Sequence, residues 1–65
     1  MSMLIKPKFV ESEGYWFNVI QIGEEKFAVE NTKRRRDQIT RDGLGYTVKS
    51  FDAMEDALNF LDSLK

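Results

Sequence analysis

Residues 15–22, YWFNVIQI, place large apolar side chains on both faces of a strand, and this constrains the fold more than any other stretch of the 65-residue chain. On a strand, alternate residues point to opposite sides. Tyr15, Phe17 and Val19 therefore share one face, and Trp16, Ile20 and Ile22 share the other. Gly23-Glu24-Glu25 follows, and then KFAVEN, in which Phe27 and Val29 alternate with Lys26, Ala28 and Glu30. This reads as a hairpin with strands at about 15–22 and 26–31, the first central and the second more peripheral and half-buried.

A single amphipathic helix is available to cover this sheet. In DAMEDALNFLDSL, the residues Met54, Ala57, Leu58, Leu61 and Leu64 fall on one helical face, with Ala53 and Phe60 at its margin. Asp52, Glu55, Asp56, Asn59, Asp62 and Ser63 fall opposite. Asp52 followed by Glu55 matches a capping box, which predicts a helix start near residue 52. Between hairpin and helix, GYTVKSF reads as a further strand entered through the permissive turn Asp42-Gly43-Leu44-Gly45. MLIKPKFV at the N-terminus reads as an edge strand, because Pro7 has no N–H to give to a ladder.

The expected fold is α+β: a small antiparallel sheet of three to four strands with one C-terminal amphipathic helix packed on one face, forming a single domain over residues 1–65. One helix covers one face. The second apolar face of strand 15–22 then calls for the N-terminal segment, a second copy of the chain, or a partner. A chain this short lies near the limit for burying a sufficient core. It contains no cysteine and no histidine, so neither disulfides nor a common zinc site supports it. Its apolar content of 42%, with five phenylalanines, is that of a folding domain rather than a disordered tail.

Charge is segmented. Residues 1–30 carry three Lys against five Glu. Residues 31–49 carry Lys33, Arg34, Arg35, Arg36, Arg41 and Lys49 against Asp37 and Asp42. Residues 50–65 carry Lys65 against Asp52, Glu55, Asp56 and Asp62. The segments, at −2, +4 and −3, sum to the net charge of −1, so the chain is bipolar rather than basic. Ile39 is the only aliphatic residue between Val29 and Leu44, so residues 31–43 are expected as an exposed, Arg-rich loop outside the core.

That loop invites two readings. Its cations can line up along a phosphate backbone with Tyr15, Trp16 or Tyr46 as stacking surfaces, or its guanidiniums can clamp carboxylates on a protein. The net charge of −1 is far from that of a dedicated nucleic-acid-binding domain. Trp16 and Tyr15 suit a protein interface, because such rings bury a large area while satisfying a polar atom.

The order of hairpin, third strand and SFDAMEDALNFL resembles the three-stranded, one-helix DNA-binding modules at the N-termini of phage-type tyrosine integrases. The resemblance spans about residues 15–64, with Phe51, Ala57, Leu58 and Leu61 as the helix pattern. It implies a sheet inserted into a DNA groove. The strands at 15–31 carry mainly Glu, so that role is not carried over to them. In type, a compact cysteine-free frame is also similar to the accessory proteins of phages and mobile elements, which commonly bind and block a host macromolecule.

Catalysis is not expected: histidine and cysteine are absent, and Glu24 and Glu25 sit in a turn with no apolar pocket. No cofactor or metal is expected. Met3, Leu4 and Ile5 form too short an apolar run for a signal-peptide core or a membrane span, so a complete small cytoplasmic protein without a membrane partner is expected. The expected function is that of a non-enzymatic binding module that docks on and modulates a host protein, self-associating as a homodimer. Its contacts would be Lys33, Arg34, Arg35, Arg36, Arg41, Trp16 and Tyr15. The alternatives are nucleic-acid binding through the Lys33–Arg41 loop, and a structural subunit of a larger particle.

Overall fold

The structure is a computed structural model that describes residues 3–38 and 45–65. Four strands, β1 (Met3–Val10), β2 (Tyr15–Gly23), β3 (Lys26–Asn31) and β4 (Tyr46–Phe51), form one antiparallel sheet in the order β1-β2-β3-β4. The helix α1 (Met54–Ser63) crosses one face. This is the small α+β architecture expected, with β1 at the edge and Pro7 opposite Asn18. Among the described residues no helix is long and apolar enough to cross a membrane.

Residue parity sets the two faces. Val19 pairs with Lys6 on one side and Val29 on the other, and Phe17 pairs with Lys8 and Asn31. These rows face α1, where Ala57 and Leu61 close over Val10, Phe17, Val19 and Val29 with no exposed surface on either helical residue. Ala57 and Leu61 are four residues apart and so stack on one helix face. The small Ala57 side chain leaves the helix close to β2 and β3. Half-buried Phe27, Phe51, Leu58, Phe60 and Leu64 surround this contact, with the Phe51 and Phe60 rings 5.6 Å apart. Met54, placed by periodicity on the apolar face, is exposed at the first turn instead.

Three further expectations are corrected. First, β3 is a central strand, because β4 pairs along its outer side from Phe27–Phe51 to Asn31–Tyr46. Its second face is therefore not solvated: Ala28 and Glu30 are buried with cross-strand neighbours on both sides. Second, the helix begins at Met54 with Ala53 as an extended N-cap that makes no side-chain cap bond. The capping box of Asp52 and Glu55 does not form, since Asp52 lies one residue outside the cap and Ala53 has no oxygen to offer. Third, the stretch 31–43 is not wholly an exposed loop, because Asn31 closes β3 and is buried together with Thr32. Ile39, Arg41 and the turn residues Asp42 to Leu44 lie outside the described residues.

The C-terminal end of α1 has no basic residue in its own last turn. Lys8 supplies one from β1. Its Nζ donates to the carbonyls of Leu61 (3.3 Å), Asp62 (3.3 Å) and Leu64 (2.6 Å), at the helix C-terminus where the dipole is negative. The Ser12 N–H adds a bond to the Lys65 carbonyl at 2.9 Å. The edge strand and the helix end are thereby tied together.

Two stability outcomes follow from this packing. Leu61→Ala opens a cavity under the helix and should cost about 2–5 kcal/mol, leaving so small a domain largely unfolded by circular dichroism at 25 °C. Lys8→Met keeps the apolar stem but removes three hydrogen bonds, and should lower the urea midpoint by the equivalent of about 1–2 kcal/mol without loss of the fold.

Candidate functional site

One end of the sheet gathers the residues that carry the chain's chemistry. There β1 and β3 finish and β2 and β4 begin, so Phe9, Tyr15, Trp16, Asn31 and Tyr46 come together from four strands. The basic run leaves β3 at this end. It stays attached to β2: the Thr32 N–H donates to the Trp16 carbonyl (3.0 Å), and the Trp16 N–H donates to the Arg34 carbonyl (2.8 Å).

Asn31 and Thr32 shape the exit. The Asn31 Oδ1 accepts from the Lys33 N–H at 2.9 Å, and the Thr32 Oγ1 accepts from the Arg34 N–H at 3.1 Å. These are the local side-chain-to-backbone turns that Asn and Thr favour. The Thr32 hydroxyl donates in turn to the Trp16 carbonyl at 2.7 Å, and the Asn31 Nδ2 reaches the Tyr46 hydroxyl at 3.4 Å. Lys33 sits in the left-handed region at φ 59°, which turns the chain sharply. Gly45 lies against the Asn31 backbone, where a Cβ would overlap the Asn31 carbonyl. That strand entry has room for glycine alone.

The turn distributes the cations to two sides. On the helix side, the Lys33 ammonium lies over the rings of Tyr15 (5.1 Å) and Tyr46 (4.9 Å). On the other side, the Arg36 guanidinium lies 4.1 Å above the Phe9 ring and pairs with the Glu11 carboxylate. Phe9 meets Trp16 edge to face at 5.6 Å, and the Trp16 Nε1–H donates to the Arg36 carbonyl at 3.2 Å. Each cation–ring contact at an exposed site is worth about 0.5–1 kcal/mol, enough to bias a side chain's position without burying its charge. Arg35 is exposed, with its N–H held by the Gln38 Oε1 at 2.8 Å, and Arg34 is half-buried.

The structure thus brings together six of the seven residues singled out in the sequence: Lys33, Arg34, Arg35, Arg36, Trp16 and Tyr15. Arg41 lies outside the described residues. Tyr15 and Trp16 are both half-buried and serve opposite faces of the same end, so the pair is a divided contact rather than a single patch. Sequence reading missed Phe9 and Glu11, which are distant along the chain and reach Arg36 only through the β1–β2 pairing. It also missed the Asn-Thr dipeptide before Lys33, whose turn-forming character was a usable signal. Among the described residues no group of three or more carboxylate, histidine or cysteine side chains is placed to hold a metal ion.

No protein-family model, curated protein or solved structure matches the chain, so the site is defined by its own geometry.

Thr32 is the residue on which this arrangement turns. Thr32→Val removes the hydroxyl that joins Trp16 to Arg34, and should cost about 1–2 kcal/mol. Because Trp16 is the chain's single tryptophan, its fluorescence should shift to longer wavelength in the folded variant as the Arg34–Arg36 backbone loosens beside it.

Proposed function

We propose that this chain is a non-enzymatic docking module acting in the cytoplasm, which modulates a protein by gripping an acidic surface with its cation–aromatic rim. The observation that carries the reading is that Lys33 and Arg36 are each held on aromatic faces at one end of the sheet while their charges remain accessible. Cations placed in advance lose less rotamer freedom on binding, and that saving appears directly in affinity. Guanidiniums beside aromatic rings are also the residue types that most often anchor protein interfaces.

The composition of the rim favours carboxylates on a protein over a phosphate backbone. Glu11 and Glu13 lie in the β1–β2 turn at this end, and Asp37 follows Arg36 directly. A continuous polyanion meets those carboxylates as like charges. A protein surface with spaced acids and apolar residues between them meets Arg and aromatic groups pair by pair. Guanidinium–carboxylate pairing is bidentate, so it selects geometry as well as charge.

Fluorescence anisotropy discriminates the two. The probes are a labelled peptide alternating Glu with Leu, and single- and double-stranded oligonucleotides of equal charge, titrated over a salt series. The peptide should bind more tightly than either oligonucleotide, and Arg35→Gln with Arg36→Gln should weaken it by about tenfold or more, the loss expected for charge-assisted contacts. Tighter binding of an oligonucleotide, with affinity falling steeply with salt, would replace this reading with nucleic-acid recognition.

A further inference from the structure

The opposite end of the sheet has the complementary character. The β2–β3 turn carries Glu24 and Glu25, and Phe27 pairs with Phe51, so Asp52 emerges beside that turn. The first turn of α1, with Glu55 and Asp56, begins at the same end. Five carboxylates therefore collect there against Lys26 and Lys49, whose ammonium lies 5.4 Å from the centroid of the Phe51 ring. The acids are not alone. Met3 pairs with Gln21 and Leu4 with Ile20 near this end, Ile22 precedes the turn, and Met54 opens the helix. All four are exposed, and they make up four of the six exposed large hydrophobic residues among those described.

From this we infer that the chain associates head to tail with a second copy of itself, the cation–aromatic rim of one molecule seating on the acidic, aliphatic end of the next. The inference rests on reading the rim as a protein-docking surface, and it names the partner. Two complementarities support it. Arg and Lys meet Glu and Asp, and exposed Tyr46 with the half-buried Trp16 and Phe9 rings meets Met and Ile side chains in an otherwise polar surface. The two ends are separated by the length of β3, about 20 Å for six residues. They cannot neutralise each other within one molecule across more than a Debye length of about 8 Å.

The geometry also fixes the kind of assembly. Rim and acidic end are different surfaces at opposite ends of the strands, so their contact is heterologous and repeats from copy to copy, giving an open chain or a ring rather than a two-fold dimer. The homodimer expected from the apolar second face of β2 is not what this arrangement favours. On that face Ile20 is buried, and exposed Ile22 lies beside the acidic β2–β3 turn.

Sedimentation velocity of the full chain from micromolar to millimolar concentration, at low and high salt, tests the inference with two neutralised variants. Arg35→Gln with Arg36→Gln disables the rim, and Glu24→Gln with Glu55→Gln disables the acidic end. All four positions are exposed, and unchanged circular dichroism establishes that both variants fold. The unsubstituted chain should exceed about twice the monomer mass at low salt and dissociate at high salt. Each variant alone should be monomeric. An equimolar mixture should stop at a one-to-one complex, because one working rim then finds one working acidic end. A chain monomeric throughout, or a variant that still dimerises alone, overturns the head-to-tail contact. If the monomeric chain nevertheless binds the Glu–Leu peptide, self-association falls while the rim's protein-docking role stands.

Discussion

A single helix covers the centre of one sheet face, and its two fully buried residues, Ala57 and Leu61, are set against Val19 and Val29. The rest of the molecule depends on this contact, because it closes the buried hydrophobic cluster of the described residues in a chain near the lower size limit for a sufficient core. Ala57 contributes little area of its own, but its size lets the larger Leu61 reach the centre of the sheet. With α1 held there, its Phe60 ring lies against Phe51 and its C-terminal carbonyls accept from Lys8. The position of both ends of the sheet relative to the helix is then set.

Much of this was legible from local pattern. The helical periodicity of residues 53–64, the hairpin about Glu24-Glu25 and the edge position implied by Pro7 all reflect chain-local physics, and all appear in the fold. The rank of β3 in the sheet was not legible. Lys26, Ala28 and Glu30 alternate with Phe27 and Val29 as in any half-solvated strand, and the distant pairing with β4 is what gives Ala28 and Glu30 cross-strand neighbours on their outer side. The misplaced helix start has a similar origin. Asp52 and Glu55 satisfy the spacing of a capping box, but β4 extends to Phe51 and the extended residue that precedes the helix is Ala53, one position past Asp52. At the site, the run of cations was visible and the surfaces beneath them were not. Phe9 is far from Arg36 in sequence, and Tyr46 is reached from Lys33 only after the chain has left β3 and returned.

The rim derives its order from weak contacts acting on one short segment. The Arg36–Glu11 pair is largely solvated, and such pairs contribute about 0–1 kcal/mol. The rings under Lys33 and Arg36 contribute similarly small amounts. The backbone is held more firmly, since the Thr32 N–H and hydroxyl both donate to the Trp16 carbonyl, the Trp16 N–H donates to the Arg34 carbonyl, and Asn31 and Thr32 fold the next two amides back on themselves. Backbone placement and side-chain bias therefore come from separate sources. A side chain of the rim can change with little effect on the path of the segment that carries it.

The polarity of the molecule follows from its topology. Along the sequence the charge alternates in three blocks, and in an extended chain these would be three separate regions. The meander brings Glu24-Glu25 of the first block together with Asp52, Glu55 and Asp56 of the third: β3 runs away from Glu24-Glu25, and β4 returns to Asp52 and the start of α1. Lys33–Arg36 of the middle block, at the far end of β3, are left opposite them. A sheet with one strand fewer after β3 would have sent α1, and its first-turn acids, to the same end as Lys33–Arg36, where they would neutralise it. Strand count, more than charge count, makes a nearly neutral chain bipolar in space. Because β4 has to return, the register of Phe27 with Phe51 that closes the core also sets the two charged ends apart.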